Sequence, residues 1–175
     1  MNKWLLPGIL LVAFILRVYG LSSYPVGFTP DEASFGYDAY SILHTGKDQW
    51  GNSFPLVLES FGDAKPPLYA YLAVPSIAIF GLTEFAVRLP NALLGALAVF
   101  VVFLLTERLF NKRTALFAAG LLAVSPWHTM LSRGAFEANL TAFFLPLGLW
   151  LLLKGAKEQK VLYLGSLGLG LKLFS

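Results

Sequence analysis

"KPPLYAYLAVPSIAIFGL", residues 65–82, is apolar enough to enter a membrane but poorly built to cross one. It opens on Pro66-Pro67 and carries Pro75 in its middle, and an interior proline costs a helix about 3 kcal/mol. Whether this stretch spans the bilayer or lies on it decides the side on which every later loop falls.

The composition makes a bilayer the right frame. The chain has 175 residues, of which 57% are hydrophobic and 13% charged, and its mean hydropathy is +0.67. A soluble domain carries about 25% charged residues. Apolar runs cover residues 4–19, 89–105, 115–131 and 139–153, and another begins at Val161. A run of roughly 20 residues crosses the bilayer core as a helix, so the chain reads as an all-α, multi-pass membrane protein. Lys3 followed by "WLLPGILLVAFIL" lacks a small-x-small cleavage site and reads as an uncleaved signal anchor. The formal charge of +3 gives no reason to expect a nucleic-acid partner, and the absence of cysteine removes disulfides and thiolate metal sites.

Lysine and arginine collect on the cytoplasmic side of short loops. If residues 65–82 lie on the surface, Lys3, the Arg108/Lys112/Arg113 cluster and the Lys154/Lys157/Lys160 cluster share one side. If the segment crosses, both clusters fall opposite Lys3. The first arrangement is expected, with the N-terminus cytoplasmic and an external loop at about residues 21–88 holding seven of the ten acidic residues. Arg17, near the outer end of the first span, is expected to snorkel toward the interface. Two interfacial helices are expected in the loop, one over residues 31–45 and one over 65–82, separated by a hairpin-like stretch at 47–58. Phe35, Ala39, Ile42 and Leu43 give the first helix an apolar stripe, and Gly46 ends it. The last run, 161–175, has only 15 residues, so the chain reads as the N-terminal part of a longer bundle.

The polar residues at the outer face are the candidates for chemistry. Thr29-Pro30-Asp31-Glu32 fits a helix start, with Thr29 as N-cap, Pro30 at N1 and Glu32 closing a capping box. That explains Glu32 fully and Asp31 less well, because the helix dipole favours an acid there by only about 0.3–1 kcal/mol. Lys65 and Arg88 each stand where a segment enters the outer leaflet, and Arg133 and Glu137 follow the third span at i, i+4 spacing. Asp63 and His128 are the weak candidates for a divalent metal, and the sequence requires no cofactor. Gly165, Gly168 and Gly170 lie in an apolar run with no strand before them, so they suit helix packing, not a nucleotide loop. The "NLT" at Asn139 matches a glycosylation sequon but sits at the mouth of a span.

"PDEA", "HTG", "KPPLYAYL", "FGLTEFAVRLPNALLGAL", "TERLFNKRTAL" and "SRGAFEANL" follow an N-terminal span in an order and spacing that resemble a known family. It is the GT-C glycosyltransferases of the protein O-mannosyltransferase and lipid A aminoarabinose transferase kind. The resemblance implies a GT-C helix bundle that transfers a sugar from a polyprenyl-phosphate donor to a lipid, glycan or protein acceptor. It matches Asp31 to an essential loop aspartate and Lys65 to a lysine that contacts the lipid phosphate. Arg88 matches a functionally important arginine, and Glu137 holds the place of a second acid, usually Asp. Asp31, Glu32 and Glu137 are thus the candidate catalytic carboxylates, and Lys65, Arg88 and Arg133 the candidate substrate cations. In the aminoarabinose transferases a glutamate just before "KPP" binds zinc. Here that residue is Ala64, with Asp63 one place earlier, which weakens a metal site.

The residue types suit such a transfer. A carboxylate can take the proton of an attacking hydroxyl, and cations stabilise the phosphate that departs. A single displacement would invert the anomeric centre. The competing class is a transporter or flippase with Lys65, Arg88 and Arg133 as its path, although transporters place ionisable groups near the midplane. A purely structural subunit is the third option, and it gives the acidic loop no role.

Overall fold

The computed structural model describes residues 3–60 and 62–158. The fifth expected span, 161–175, lies outside the described residues. In chain order the elements are α1 (Leu5–Val18), α2 (Pro30–Thr45), strands β1 (Leu58–Ser60) and β2 (Asp63–Lys65), α3 (Leu68–Phe80), α4 (Glu84–Leu109), α5 (Lys112–Val124), α6 (Pro126–Ser132), a 3-10 turn (Glu137–Leu140) and α7 (Thr141–Glu158). Among the described residues the fold is a helical membrane bundle, with one small antiparallel hairpin in its first long loop.

Helix α4 is the spine. Its 26 residues extend about 39 Å, enough to cross the hydrocarbon core. The 3-10 turn runs into α7, giving a second helix of sufficient length and apolarity over Glu137–Ala156. The expected straight span at 115–131 is instead two helices, α5 and α6, bent by 60° at Ser125. Pro126 explains the break, since the residue before a proline is pushed out of the helical region. α1 and α3 are apolar but have only 14 and 13 residues. Each reaches about 20 Å.

Two cores lie along the spine. Its N-terminal part packs with α2 and α3 through Phe35, Ala39, Ile42, Tyr69, Ala73, Ile77 and Val87. Its C-terminal part packs with α1 and α5 through Ala13, Val99, Phe103, Ala115 and Ala119. The expected stripe on α2 is its buried face, with Leu43 half-buried beside it, and Gly46 ends the helix at φ +69°. α3 continues through Pro75. α4 tolerates Pro90 because a neighbour supplies the missing donor. Proline has no N–H for the Ala86 carbonyl one turn back, and the Ser76 hydroxyl of α3 reaches that oxygen at 2.6 Å.

Arg17 does not snorkel. It is fully buried, and its guanidinium donates to the carbonyls of Ala13, Leu122 and Ala123 at 3.0–3.1 Å. Two of those carbonyls belong to the last turn of α5, where a cation meets the negative end of the helix dipole. The bend is held from the opposite helix.

α4 and α6 approach so closely that a β-carbon on Gly95 would lie 2.2 Å from Ser132 Oγ and 2.5 Å from its Cβ. Ser132 is itself anchored by donating to the His128 carbonyl at 2.6 Å. Gly95→Ala is expected to destabilise the protein by about 1–3 kcal/mol, read as a lower unfolding temperature in detergent. Gly8→Ala, which meets nothing within 4 Å, is the control.

The expected hairpin-like stretch at 47–58 contains a turn closed by one antiparallel bridge, Lys47 with Ser53. The paired strands come just after it, with Leu58 opposite Lys65 and Glu59 opposite Ala64. Gly62 turns between them at φ +78°.

Candidate functional site

The site is built on the first turn of α2. Thr29 Oγ1 accepts from the Glu32 amide at 3.2 Å, and Thr29 N donates to Glu32 Oε2 at 2.9 Å, so the capping box is formed. Glu32 does more than close it. The side chain is buried and accepts from Arg88 Nε at 2.8 Å, Arg88 Nη2 at 3.3 Å and the Ala135 amide at 3.1 Å. One carboxylate thereby joins α2, α4 and the turn after α6.

Arg88 is fully buried and fully engaged. Beyond Glu32, it donates to the carbonyls of Leu21 and Pro25 at 3.2 Å and to that of Gly27, and Glu84 stands 3.2 Å away. A guanidinium has five N–H donors, and these partners take all of them. Arg88 therefore does not offer a free fork to a substrate phosphate. Arg133 commits both of its terminal nitrogens in a similar way. Its terminal nitrogens donate to the carbonyls of Leu16, Tyr19, Gly20 and Tyr24 at 2.8–3.1 Å. The first three are at or just past the last turn of α1, whose carbonyls have no helical donors. Nor do Arg133 and Glu137 form a helical i, i+4 pair, because α6 stops at Ser132 and Glu137 opens the 3-10 turn, half-buried.

Asp31 and Lys65 form an ion pair of their own. The two side chains are in direct contact, the lysine 7% and the aspartate 53% exposed. The ammonium also stands 5.4 Å from the centre of the Phe35 ring. A cation seated on an aromatic face, with its carboxylate partner open to solvent, leaves the carboxylate accessible to an incoming group.

Asp38, passed over in the sequence, is fully buried one helical repeat further along α2. Burial pushes its carboxyl above the ordinary aspartate range, and the amide of Gln49 offsets only part of that. Its seven-residue spacing from Asp31, which puts both on one face of the helix, was the available signal. Asn91 and Asn139, also buried, lock the turn at 131–139. Asn91 Nδ2 donates to the carbonyls of Leu131 and Gly134 at 3.0 and 2.6 Å, and Asn139 Nδ2 donates to Asn91 Oδ1 at 2.9 Å.

His128 does not suit a metal. Arg17 Nη2 lies 2.7 Å from its Nδ1. Arginine can only donate, so Nδ1 must accept and the ring proton sits on Nε2. That leaves Nε2 no lone pair for an ion. Asp63 is exposed at the start of β2. Among the described residues no three His, Cys, Asp or Glu side chains are grouped to hold a metal.

The charge state of Glu32 gives a test of the network. Burial would raise its carboxyl, but Arg88 and the amides of Thr29 and Ala135 overcome that and hold it below the ordinary glutamate range. A group held low stabilises the fold above its unfolded value and loses that contribution as pH falls through the folded one. Unfolding temperature in detergent is therefore expected to drop below about pH 4.3. Glu32→Gln, less stable at neutral pH, should flatten that limb.

Residues 64–173 match the profile of the dolichyl-phosphate-mannose-protein mannosyltransferase family. The chain belongs to that family. The matched region of this mannosyltransferase-family chain includes Lys65, Arg88, Arg133 and Glu137, and starts after α2. Among curated relatives, YkcB of Bacillus subtilis, named provisionally as a mannosyltransferase, is 34% identical over 57% of the chain and 14% of its own length. An undecaprenyl phosphate-alpha-4-amino-4-deoxy-L-arabinose arabinosyl transferase of Pseudomonas fluorescens is 31% identical over 82% of the chain and 25% of its own length. The polyprenol-phosphate-mannose–protein mannosyltransferase of Corynebacterium glutamicum is 28% identical over 84% of the chain and 29% of its own length. The chain thus spans between 14% and 29% of these relatives. No solved structure matches it significantly.

Proposed function

We propose that the intact protein transfers a hexosyl or pentosyl group from a polyprenyl-phosphate donor to an acceptor hydroxyl at the outer face of the membrane, inverting the anomeric centre. The observation that carries this is the Asp31–Lys65 pair, a half-exposed carboxylate against a nearly buried ammonium. Family membership and the polyprenyl-phosphate sugars in the relatives' names support the donor class.

In this reading Asp31 takes the proton from the acceptor hydroxyl as it attacks. Lys65 stabilises the phosphate that leaves, with the donor's lipid tail kept in the bilayer. Glu32, Arg88 and Arg133 position this pair without touching substrate. Glu137, in the turn whose Ala135 amide binds Glu32, is the second acid, available to orient the acceptor. The acceptor is a lipid, glycan or protein. A transporter path through Arg88 and Arg133 finds no support, because both guanidiniums are spent on the protein itself.

Two measurements test the proposal. Lys65→Ala should weaken binding of a polyprenyl phosphate while the protein still inserts and folds; unchanged binding would remove Lys65 from the donor site. Single cysteines at Leu56, 86% exposed, and at Asn111 address the sidedness. A membrane-impermeant thiol reagent on intact cells should label the first and spare the second. Labelling at Asn111 would mean that α3 crosses, with α4 entering from the other side.

A further inference from the structure

We propose that Asp38 is a positioning residue that sets where the Lys65 ammonium stands relative to Asp31. This rests on the roles given to Lys65 and Asp31 above.

A ring of bonds leaves α2 at Asp38 and returns to it at Asp31. Asp38 Oδ1 accepts from the Gln49 amide at 3.0 Å, and Oδ2 accepts from Gln49 Nε2 at 3.3 Å. Gln49 Nε2 also donates to the Glu59 carbonyl at 3.2 Å, where Trp50 Nε1 joins it at 2.6 Å. Glu59 lies opposite Ala64 in the hairpin and Leu58 lies opposite Lys65. Lys65 then pairs with Asp31. The turn that carries Gln49 is itself pre-shaped, since the buried Asp48 carboxylate accepts from Trp50 N, Asn52 N and Asn52 Nδ2 at 2.8–2.9 Å.

The hairpin needs such support. Two strands of three residues each are not stable alone, because an isolated two-stranded hairpin is marginal at best in water. The lysine stem adds four rotatable bonds, so the ammonium is placed only as well as its backbone is. Asp38 supplies a polar anchor on α2, beside the apolar one at Leu58, which is buried in the core with α2 and α3. A buried carboxylate is a costly way to hold a loop, and its cost is offset here by two hydrogen bonds to a single residue. Both N–H groups of the Gln49 amide are used, one toward α2 and one toward β1, so a change at Asp38 reaches the strand that pairs with Lys65.

The test is a double-mutant cycle in the intact protein, read by binding of a short-chain polyprenyl phosphate and by amide hydrogen exchange. Asp38→Ala is expected to raise the dissociation constant about tenfold, the scale of one hydrogen bond to a charged group. In a Lys65→Ala background the same change should add almost nothing, because Asp38 acts through Lys65. Exchange should quicken across residues 47–65 in Asp38→Ala while α4 stays protected. Asp38→Asn, which keeps an oxygen for the Gln49 amide, should fall between Ala and the parent and serves if Ala does not fold. Full additivity with Lys65→Ala, or unchanged exchange over 47–65, overturns the proposal. If Lys65→Ala alone leaves binding unchanged, the donor role of Lys65 fails instead, and the exchange data still decide whether Asp38 holds the hairpin.

Discussion

Asp31→Asn is expected to lower sugar transfer by the intact protein about 10²–10⁴-fold, the range that general-base assistance supplies, with expression and donor binding close to the parent. Asparagine keeps an oxygen for Lys65 but cannot accept the hydroxyl proton. The helix should survive the change, because its start is secured by Thr29 and Glu32, which bond each other's amides at 3.2 and 2.9 Å. Asp31 makes no part of that box, and its side chain is half open to solvent. Glu32 is the opposite case, since its oxygens are filled by Arg88, Thr29 and Ala135. A sugar-transfer assay with polyprenyl-phosphate binding measured in parallel separates the two. Near-normal transfer by Asp31→Asn would move the base elsewhere, first to Glu137 and then to Asp63.

Arg88→Ala is expected to cost the fold, not the donor. Removing one partner of a buried ion pair destabilises by about 3–5 kcal/mol, because the remaining charge is left uncompensated. Here the deletion strands the Glu32 carboxylate together with the carbonyls of Leu21, Pro25 and Gly27. Arg88→Lys should recover little, since an ammonium is a point charge with three donors and the site is fitted to a planar fork of five. Combining Arg88→Ala with Glu32→Gln should cost less than the sum of the two. Thermal unfolding in detergent reads all four proteins. A stable Arg88→Ala protein with weakened polyprenyl-phosphate binding would return Arg88 to the donor site.

The difference between these two residues marks the limit of what the sequence discloses. The start of α2 is legible because its bonds are local, three residues apart, and its stripe follows from helical periodicity alone. The long apolar run of α4 is legible for the same reason. Arg17, Arg88 and Arg133 read as cations at membrane boundaries, for which snorkelling or phosphate binding are the natural readings. Their actual partners lie mostly 61–117 residues away in the chain and are backbone carbonyls, which leave no trace in residue identity. Asp38 is marked in the sequence only by its seven-residue spacing from Asp31, since its partner, Gln49, sits in a turn whose path depends on tertiary packing. The bend at Ser125 is marked locally, by the proline at 126.

Two guanidiniums hold the chain from the last turn of α1 to the start of α2 by its peptide oxygens, Arg133 at Leu16, Tyr19, Gly20 and Tyr24 and Arg88 at Leu21, Pro25 and Gly27. Every amino acid carries that oxygen. The exposed side chains of the linker, such as Tyr19 and Val26, make none of these bonds and can be exchanged without breaking them, whereas buried Leu21 and the positive-φ Gly20 and Gly27 are held to their types. Residues at the exposed positions of this linker can then vary while the backbone that leads into α2, and with it the place of Asp31, keeps its course.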